Sequence, residues 1–323
     1  MRGLLATVVA GVMLISPSCV LAQTSAFPST PITMVVPYAA GGPTDIVARL
    51  TAETMGRLLD QRIVVENVAG AGGTVGMARV AKADPTGYTL LLNHIGMATS
   101  VTLFPKAAAH PVTDFEPIGL IVDAPMTLVG KASLPATTLS ELVTYVKANK
   151  DKVTYANAGP GTASYLCGML FMSAIGQELT AVSYRGTGPA MTDLVGGQVD
   201  LMCDQTTNTT SYITSGSIKA YVATRAQRLP TLPQVPSAKE AGMETLDLSI
   251  WHAIYAPKGT PKPVVDRLQS ALDAALEDAT LRDRFTTLGG IVVPKADRTP
   301  EGLRAKLQSE IDRWKAVLKS PTN

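Results

Sequence analysis

The sequence predicts an α/β protein folded as two lobes with a cleft between them, and three observations carry the prediction. Short apolar segments rich in β-branched residues alternate with segments of helical spacing, in two successive series. Four glycine-rich loops each follow a strand segment and open a helix. A strand-like stretch late in the chain, "LSIWHAIYAPKG", lets the chain cross back from the second series to the first. The predicted division is 23–122 with 250–323 as lobe 1 and 123–249 as lobe 2.

The first series opens after "FPSTP". "ITMVVPY" and "IVVENV" are short, β-branched and bounded by Gly or Pro, which predicts strands. Between them Val47, Leu50 and Leu58 recur near helical spacing. "GMARVAKA" predicts a second helix, "DPTG" a turn and "YTLLLNH" a third strand. The second series begins near residue 123 with the strand-like "APMTLVGKA". "LSELVTYVKAN" follows as a helix with Ser140 at its N-cap, then "VTYANAG" as a strand. A helix through "YLCGMLFMSAIG", a strand "ELTAVSY", a helix "AMTDLVGG" and a strand "QVDLMCD" complete it. Two amphipathic helices close the chain. One carries Val265, Leu268, Leu272 and Leu276 on one face, the other Leu303, Leu307, Ile311, Trp314 and Leu318, and both suit the outside of a domain.

Composition narrows the function. Charged residues make up 17% of 323 residues and the net charge is +2, which leaves no dense basic face for nucleic acid. "MRGLLATVVAGVMLISPSCVLAQ" has an early cation, an apolar run ended by Ser-Pro-Ser, and a small-residue cleavage site, so residues 1–22 predict an export signal cut after about Ala22. A spanning helix would need about 20 apolar residues. Export makes a disulfide between Cys167 and Cys203 permissible. Nothing in the sequence shows that they approach, and two separate buried thiols are the expectation. No Cys/His cluster suggests a metal, and His94, His110 and His252 are widely separated. No G-x-S-x-G elbow recruits a nucleophile. His94, at the carboxyl end of a strand, could touch a ligand or serve as a structural hydrogen-bonder.

The four loops are "YAAGGPTD" at 38–45, "AGAGGTVG" at 69–76, "NAGPGTAS" at 157–164 and "YRGTGPAM" at 184–191. Each can present backbone N–H groups at the positive end of a helix dipole, so an anion can be held without lysine or arginine. Pro43 and Pro189 suit a first helical turn, where a missing N–H costs nothing. A dinucleotide is the first anion to test. Glu66 stands at the spacing of a ribose-binding acid, but Gly41-Gly42 is followed by Pro-Thr-Asp instead of the spacing that supplies the last glycine.

"PITMVVPYAAGGPTDIVARL", "IVVENVAGAGGTVGMARVAKADPTGYTLLL", "AGPGTASYLCGMLF", "YRGTGPAMTDLVGGQVDLM", "LPTLPQVPSAKEAGM" and "WHAIYAPKGTPKPVVDRL" together resemble the Bug-type substrate-binding proteins of tripartite tricarboxylate transporters, in the same order across the mature chain. The resemblance implies a monomeric periplasmic binding protein with two interdomain crossings and no cofactor. It would close on a di- or tricarboxylate, acidic amino acid or aromatic acid and deliver it to membrane transporter subunits. An exported enzyme acting on a carboxylate in the same cleft, or a ligand sensor, are the alternatives. The positions matching the family's binding loops are Tyr38, Gly42, Thr44 and Asp45, then Ala71 and Gly72, in lobe 1. In lobe 2 they are Thr162, Ala163 and Ser164, with Tyr184, Arg185, Gly186 and Asp204. Thr44, Thr162 and Ser164 could cap their helices or donate to a carboxylate. Arg185 could pair with a carboxylate, or tie Asp204 or Asp45 in place. Asp204, when ionised, suits a ligand's amino or hydroxyl group, or orients Arg185. Pro43 stands where relatives often have serine, Tyr165 where many have histidine, and "QTTNTTSYI" at 205–213 is more polar than expected.

Overall fold

A computed structural model of the chain describes residues 27–319; the predicted export signal lies outside them. The first three strands, β1 (Ile32–Val36), β2 (Ile63–Asn67) and β3 (Thr89–Asn93), are parallel, with β1 central. They alternate with helices α1 (Pro43–Leu59) and α2 (Thr74–Ala81), and α3 (Gly96–Leu103) follows. The second layer places β5 (Thr154–Asn157) between β6 (Thr180–Ser183) and β7 (Leu201–Gln205), again parallel. Its helices are α4 (Leu139–Ala148), α5 (Ala163–Ile175), α6 (Thr187–Val195) and α7 (Thr206–Thr214).

One long strand joins the layers. β4 (Phe115–Lys131) pairs with β9 (Ser249–Pro257) from Phe115↔Pro257 to Pro125↔Ser249, then from Met126↔Gln205 onward pairs with β7. β8 (Ile218–Ala223) pairs with its second half and β10 (Ile291–Val292) with its first. The strands therefore form one path, β2-β1-β3-β9-β4-β7-β5-β6, in which β4 and the start of β9 are the two crossings. Residues 115–123, unassigned by the alternating pattern, are part of this strand.

Period-two side chains decide which helices cover which face. Ile32, Met34 and Val36 of β1, with Leu90 and Leu92 of β3, bury against α1 and against Leu268, Leu272 and Leu276 of α8 (Lys262–Glu277). Val35 and Leu91 point to the other face, where Met77 and Val80 of α2 meet Leu303, Leu307 and Ile311 of α10 (Pro300–Lys319). α10 continues past that core, and Trp314 is buried in the core of the second layer with Met126, Leu128 and Phe171. A short helix, α9 (Ala279–Thr287), links α8 to β10 and is capped by Asp278, whose carboxylate accepts from Leu281 N at 3.0 Å.

Two local expectations are corrected, and one segment left unassigned by the sequence is a helix. α4 is capped by Thr138 and not Ser140: Thr138 Oγ1 accepts from Glu141 N at 3.2 Å while Glu141 accepts from Thr138 N at 3.3 Å, a capping box. The polar 206–214 segment is a helix despite its run of threonines, which are poor helix formers. Its hydroxyls find tertiary partners: Thr206 donates to Gly289 O at 2.9 Å, Thr210 to Leu288 O at 3.2 Å, and Thr209 bonds Thr127 at 2.7 Å. Finally, Cys167 and Cys203 form a disulfide with Cα atoms 6.0 Å apart, where separate thiols were expected. Packing of α5 on β7 turns both cysteines into one core, a juxtaposition that their separation of 36 residues does not reveal.

Candidate functional site

β1, β5 and β6 each end in a turn that starts a helix, β7 runs directly into one, and those four starts converge. The N-cap residues of α1, α5, α6 and α7 are Gly42, Thr162, Gly186 and Gln205. All four line one cleft between the lobes. None of the four helices has a side-chain cap. Their first-turn N–H groups have no intrahelical acceptor, and their dipoles add a positive potential. Among the described residues, no lysine or arginine lines the cleft. At about 1 kcal/mol per terminus, four termini supply roughly 4 kcal/mol toward an anion, no less than a hydrogen bond to a charged group at about 1.5–3 kcal/mol. Pro43 occupies the first helical position of α1 and is buried there. It removes a donor only where its fixed φ already suits the turn.

The two jaws touch. Ala39 N, in the loop after β1, donates to Arg185 O at 3.1 Å, and Thr99 of α3 donates to Gly161 O at 2.7 Å. Gly186 and Gly188 allow this approach: a Cβ at Gly186 would lie 2.8 Å from Ala39 N, and one at Gly188 would run into Ala40 O.

The lobe-1 wall carries an aromatic pair, Tyr38 and His94. Tyr38 donates to Asn93 Oδ1 at 3.1 Å and stacks on His94 with centroids 4.6 Å apart. Gly96 N donates to His94 Nδ1 at 3.0 Å, so Nε2 carries the proton of the neutral ring and is free to donate to a ligand. Burial, with His252 nearby, holds the His94 pKa well below its usual value, so the ring stays uncharged. Thr44 Oγ1 lies 3.4 Å from His252 Nε2. Asp45, although it lines the cleft, is fully engaged: its carboxylate accepts from Gly41 N at 3.0 Å, Asn67 at 3.0 Å and Arg49 at 2.9 Å. Burial raises its pKa, but these bonds outweigh burial and the net shift is downward. Asp45 therefore fixes the loop and is spent as a ligand group.

The lobe-2 wall carries both donors and acceptors. Thr162 Oγ1 donates to Gly159 O at 2.7 Å and Ser164 Oγ accepts from Ala158 N at 2.9 Å, so both hydroxyls shape the loop and do not cap α5. Asp204 is 1% exposed, with no cation beside it. Burial pushes its pKa up to about 6, against bonds from Asn208, Gln205 N and Thr187. The Asn208 amide donates to it at 2.7 Å. Next to it, Gln205 Oε1 is buried with no partner. Two acceptors thus line the cleft beside the starts of α6 and α7.

Of the residues expected at the site, Tyr38, Gly42, Thr44, Asp45, Thr162, Ala163, Ser164, Gly186 and Asp204 line this cleft. Ala71 and Gly72 do not; they form a turn at the lobe contact, where Gly72 lies against Pro160 O. Tyr184 points away and donates to Asp193 at 2.6 Å. Arg185 is exposed, and among the described residues its side chain makes no hydrogen bond or ion pair. It ties neither Asp204 nor Asp45, because Arg49, one helical turn after Asp45, already holds that carboxylate. Ala39, Pro43, His94, Ala158, Thr187 and Gln205 also line the cleft and were not in the expected set. Position after a strand could have found Gln205 and Thr187, the residues beside Asp204 and Gly186.

No group of three or more metal-binding side chains occurs among the described residues. Residues 47–322 match the family model described as "Tripartite tricarboxylate transporter family receptor". A UPF0065 protein of Agrobacterium vitis is 48% identical over 292 residues, covering 90% of this chain and 84% of its own. Among solved structures, the periplasmic binding protein BugD is 49% identical with a TM-score of 0.89, covering 91% of this chain and 98% of that one. MatC from Rhodopseudomonas palustris, solved with bound malate, is 42% identical with a TM-score of 0.87, covering 91% and 100%. The two-lobed α/β fold matches that of the periplasmic binding protein BugD, and this chain belongs to the tripartite tricarboxylate transporter receptor family.

Proposed function

We propose that the chain is an exported, non-catalytic receptor that captures a small carboxylate bearing a hydroxyl or ammonium group, and delivers it to the membrane subunits of a tripartite tricarboxylate transporter. The observation that carries this reading is the convergence of four uncapped helix starts on a cleft without lysine or arginine. Such a cleft favours an anion through backbone N–H groups. His94 Nε2 adds a neutral donor on the lobe-1 side. Asp204 and the unpartnered Gln205 Oε1 cannot meet a carboxylate favourably, so they suit the ligand's own donor. The malate bound by the related MatC has both chemistries. Because the donors come from both lobes, a ligand that bridges them favours the closed state by its differential affinity.

Thermal denaturation of ligand-stripped mature protein tests the proposal. Malate or aspartate should raise the midpoint by linkage, and more than succinate at equal concentration. A panel of di- and tricarboxylates, acidic amino acids and aromatic acids that leaves the midpoint unmoved would overturn it. Turnover of any bound acid would instead support an enzyme.

A further inference from the structure

Behind the lobe-2 wall of the cleft lies a tyrosine that does not line it. Tyr155, on β5, is 1% exposed. Its hydroxyl donates to Ser164 O at 2.8 Å and accepts from Cys203 N at 3.1 Å. Ser164, in the first turn of α5, lines the cleft. Cys203 is the residue before Asp204, which lines it too. One buried oxygen therefore joins the backbone of two cleft walls.

The surrounding residues are arranged for this contact. The β5–β7 ladder reaches Ala156↔Met202, and the Tyr155 hydroxyl meets β7 at the next residue, Cys203. Gly168, one turn after Ser164, leaves space for the ring: a Cβ there would run into Tyr155. The Cys167–Cys203 disulfide ties the same helix to the same strand. It does so three residues after Ser164, about 4.5 Å further along the helix axis, so the hydroxyl is the tie closer to the cleft. Burial raises the phenol pKa, and the Asp204 carboxylate nearby adds to the rise, so the hydroxyl keeps its proton for Ser164 O.

We propose that Tyr155 is a positioning residue for the ligand: its hydroxyl fixes the spacing between the start of α5 and Asp204, and with it the preference for a carboxylate that carries a hydroxyl or ammonium group. The inference rests on the cleft being a carboxylate site. A ligand whose carboxylate meets the N–H groups of α5 while its second group meets Asp204 needs both walls held to within about 0.5 Å. Succinate has no donor for Asp204, so it is much less sensitive to that spacing.

Calorimetric titration of the ligand-stripped mature protein tests this at pH 7 in wild type, Tyr155→Phe, Asp204→Asn and the double variant. The ligands are whichever of malate and aspartate binds more tightly, and succinate. Phenylalanine keeps the ring, and the disulfide still ties α5 to β7, so circular dichroism should show the fold retained. Tyr155→Phe should weaken the malate or aspartate complex about tenfold, the worth of one hydrogen bond to a charged group, and the succinate complex less than about twofold. Added to Asp204→Asn, the same substitution should cost less than about twofold for either ligand, because the group it positions is gone. Lower stability in urea with an unchanged ratio of the two affinities would show a merely structural tyrosine and overturn the proposal. So would an undiminished effect of Tyr155→Phe in the Asp204→Asn background. A wild type that binds none of the three acids would overturn the carboxylate reading and this inference with it. A wild type that discriminates, beside a Tyr155→Phe variant that discriminates equally, would overturn the role of Tyr155 alone.

Discussion

Asp204→Asn separates stability from binding in one substitution. Asp204 is buried and its pKa is raised from 3.8 to about 6, chiefly by burial. The folded state therefore holds a proton between those pH values that the unfolded state has released, and stability from this group falls as pH rises through that window. The difference corresponds to about 3 kcal/mol at pH 7. Asparagine is neutral at every pH, and its carbonyl can still accept from Asn208, which donates to Asp204 at 2.7 Å. Urea denaturation of both ligand-free proteins from pH 3.5 to 8 should show the variant more stable by about 3 kcal/mol at pH 7 to 8, the gap closing below pH 4. Titration at pH 7 should show the opposite for function: roughly tenfold or more lost for aspartate, whose ammonium faces Asp204, and little change for succinate. A variant less stable at pH 7, or a stability gap independent of pH, would refute the assignment of Asp204 as a buried carboxylate without a partner cation. Binding groups commonly carry such a stability cost.

Three further outcomes follow from the same geometry. Arg185→Gln should change cleft affinity by less than about twofold, since the guanidinium is exposed and a solvated charge contributes little; a loss of tenfold in calorimetry would return Arg185 to the site. Gly188→Val should leave the fold intact by circular dichroism but prevent closure, because its Cβ meets Ala40 O in the opposite jaw; ligand-induced compaction in small-angle scattering should disappear, and its persistence would mean that the jaws meet elsewhere. Replacing both Cys167 and Cys203 by alanine should cost roughly 4 kcal/mol in guanidinium denaturation, as expected for a loop of this length; an unchanged midpoint would argue that the two are not bonded in solution.

How much was legible in the sequence depends on whether a feature is local. Strand, glycine turn and helix start are written in consecutive residues, so "AAGGPTD", "GPGTAS" and "YRGTG" could be placed at the carboxyl ends of strands without knowing the fold. Pro43, which stands out as a missing hydroxyl when compared with relatives, is explained locally as the first residue of α1. What escaped is long-range. The helical state of 206–214 rests on carbonyls at Leu288 and Gly289, about 80 residues away in sequence. The Cys167–Cys203 bond depends on the docking of α5 on β7. Arg185 drew attention as the sole cation in the loops, but sequence could not show that its side chain leaves the cleft. Conversely, the neutral donor role of His94 depends on Gly96 N occupying Nδ1, a contact two residues away that reveals its meaning only once the strand end is seen to face the cleft.

The most direct test is a crystal structure of the mature protein with malate or aspartate bound. A ligand carboxylate should lie within hydrogen-bonding distance of N–H groups at the starts of α1, α5 or α6, with the hydroxyl or ammonium group beside Asp204 and Gln205 and no lysine or arginine in contact. A carboxylate paired with Arg185, or a ligand bound away from the four helix starts, would contradict the account.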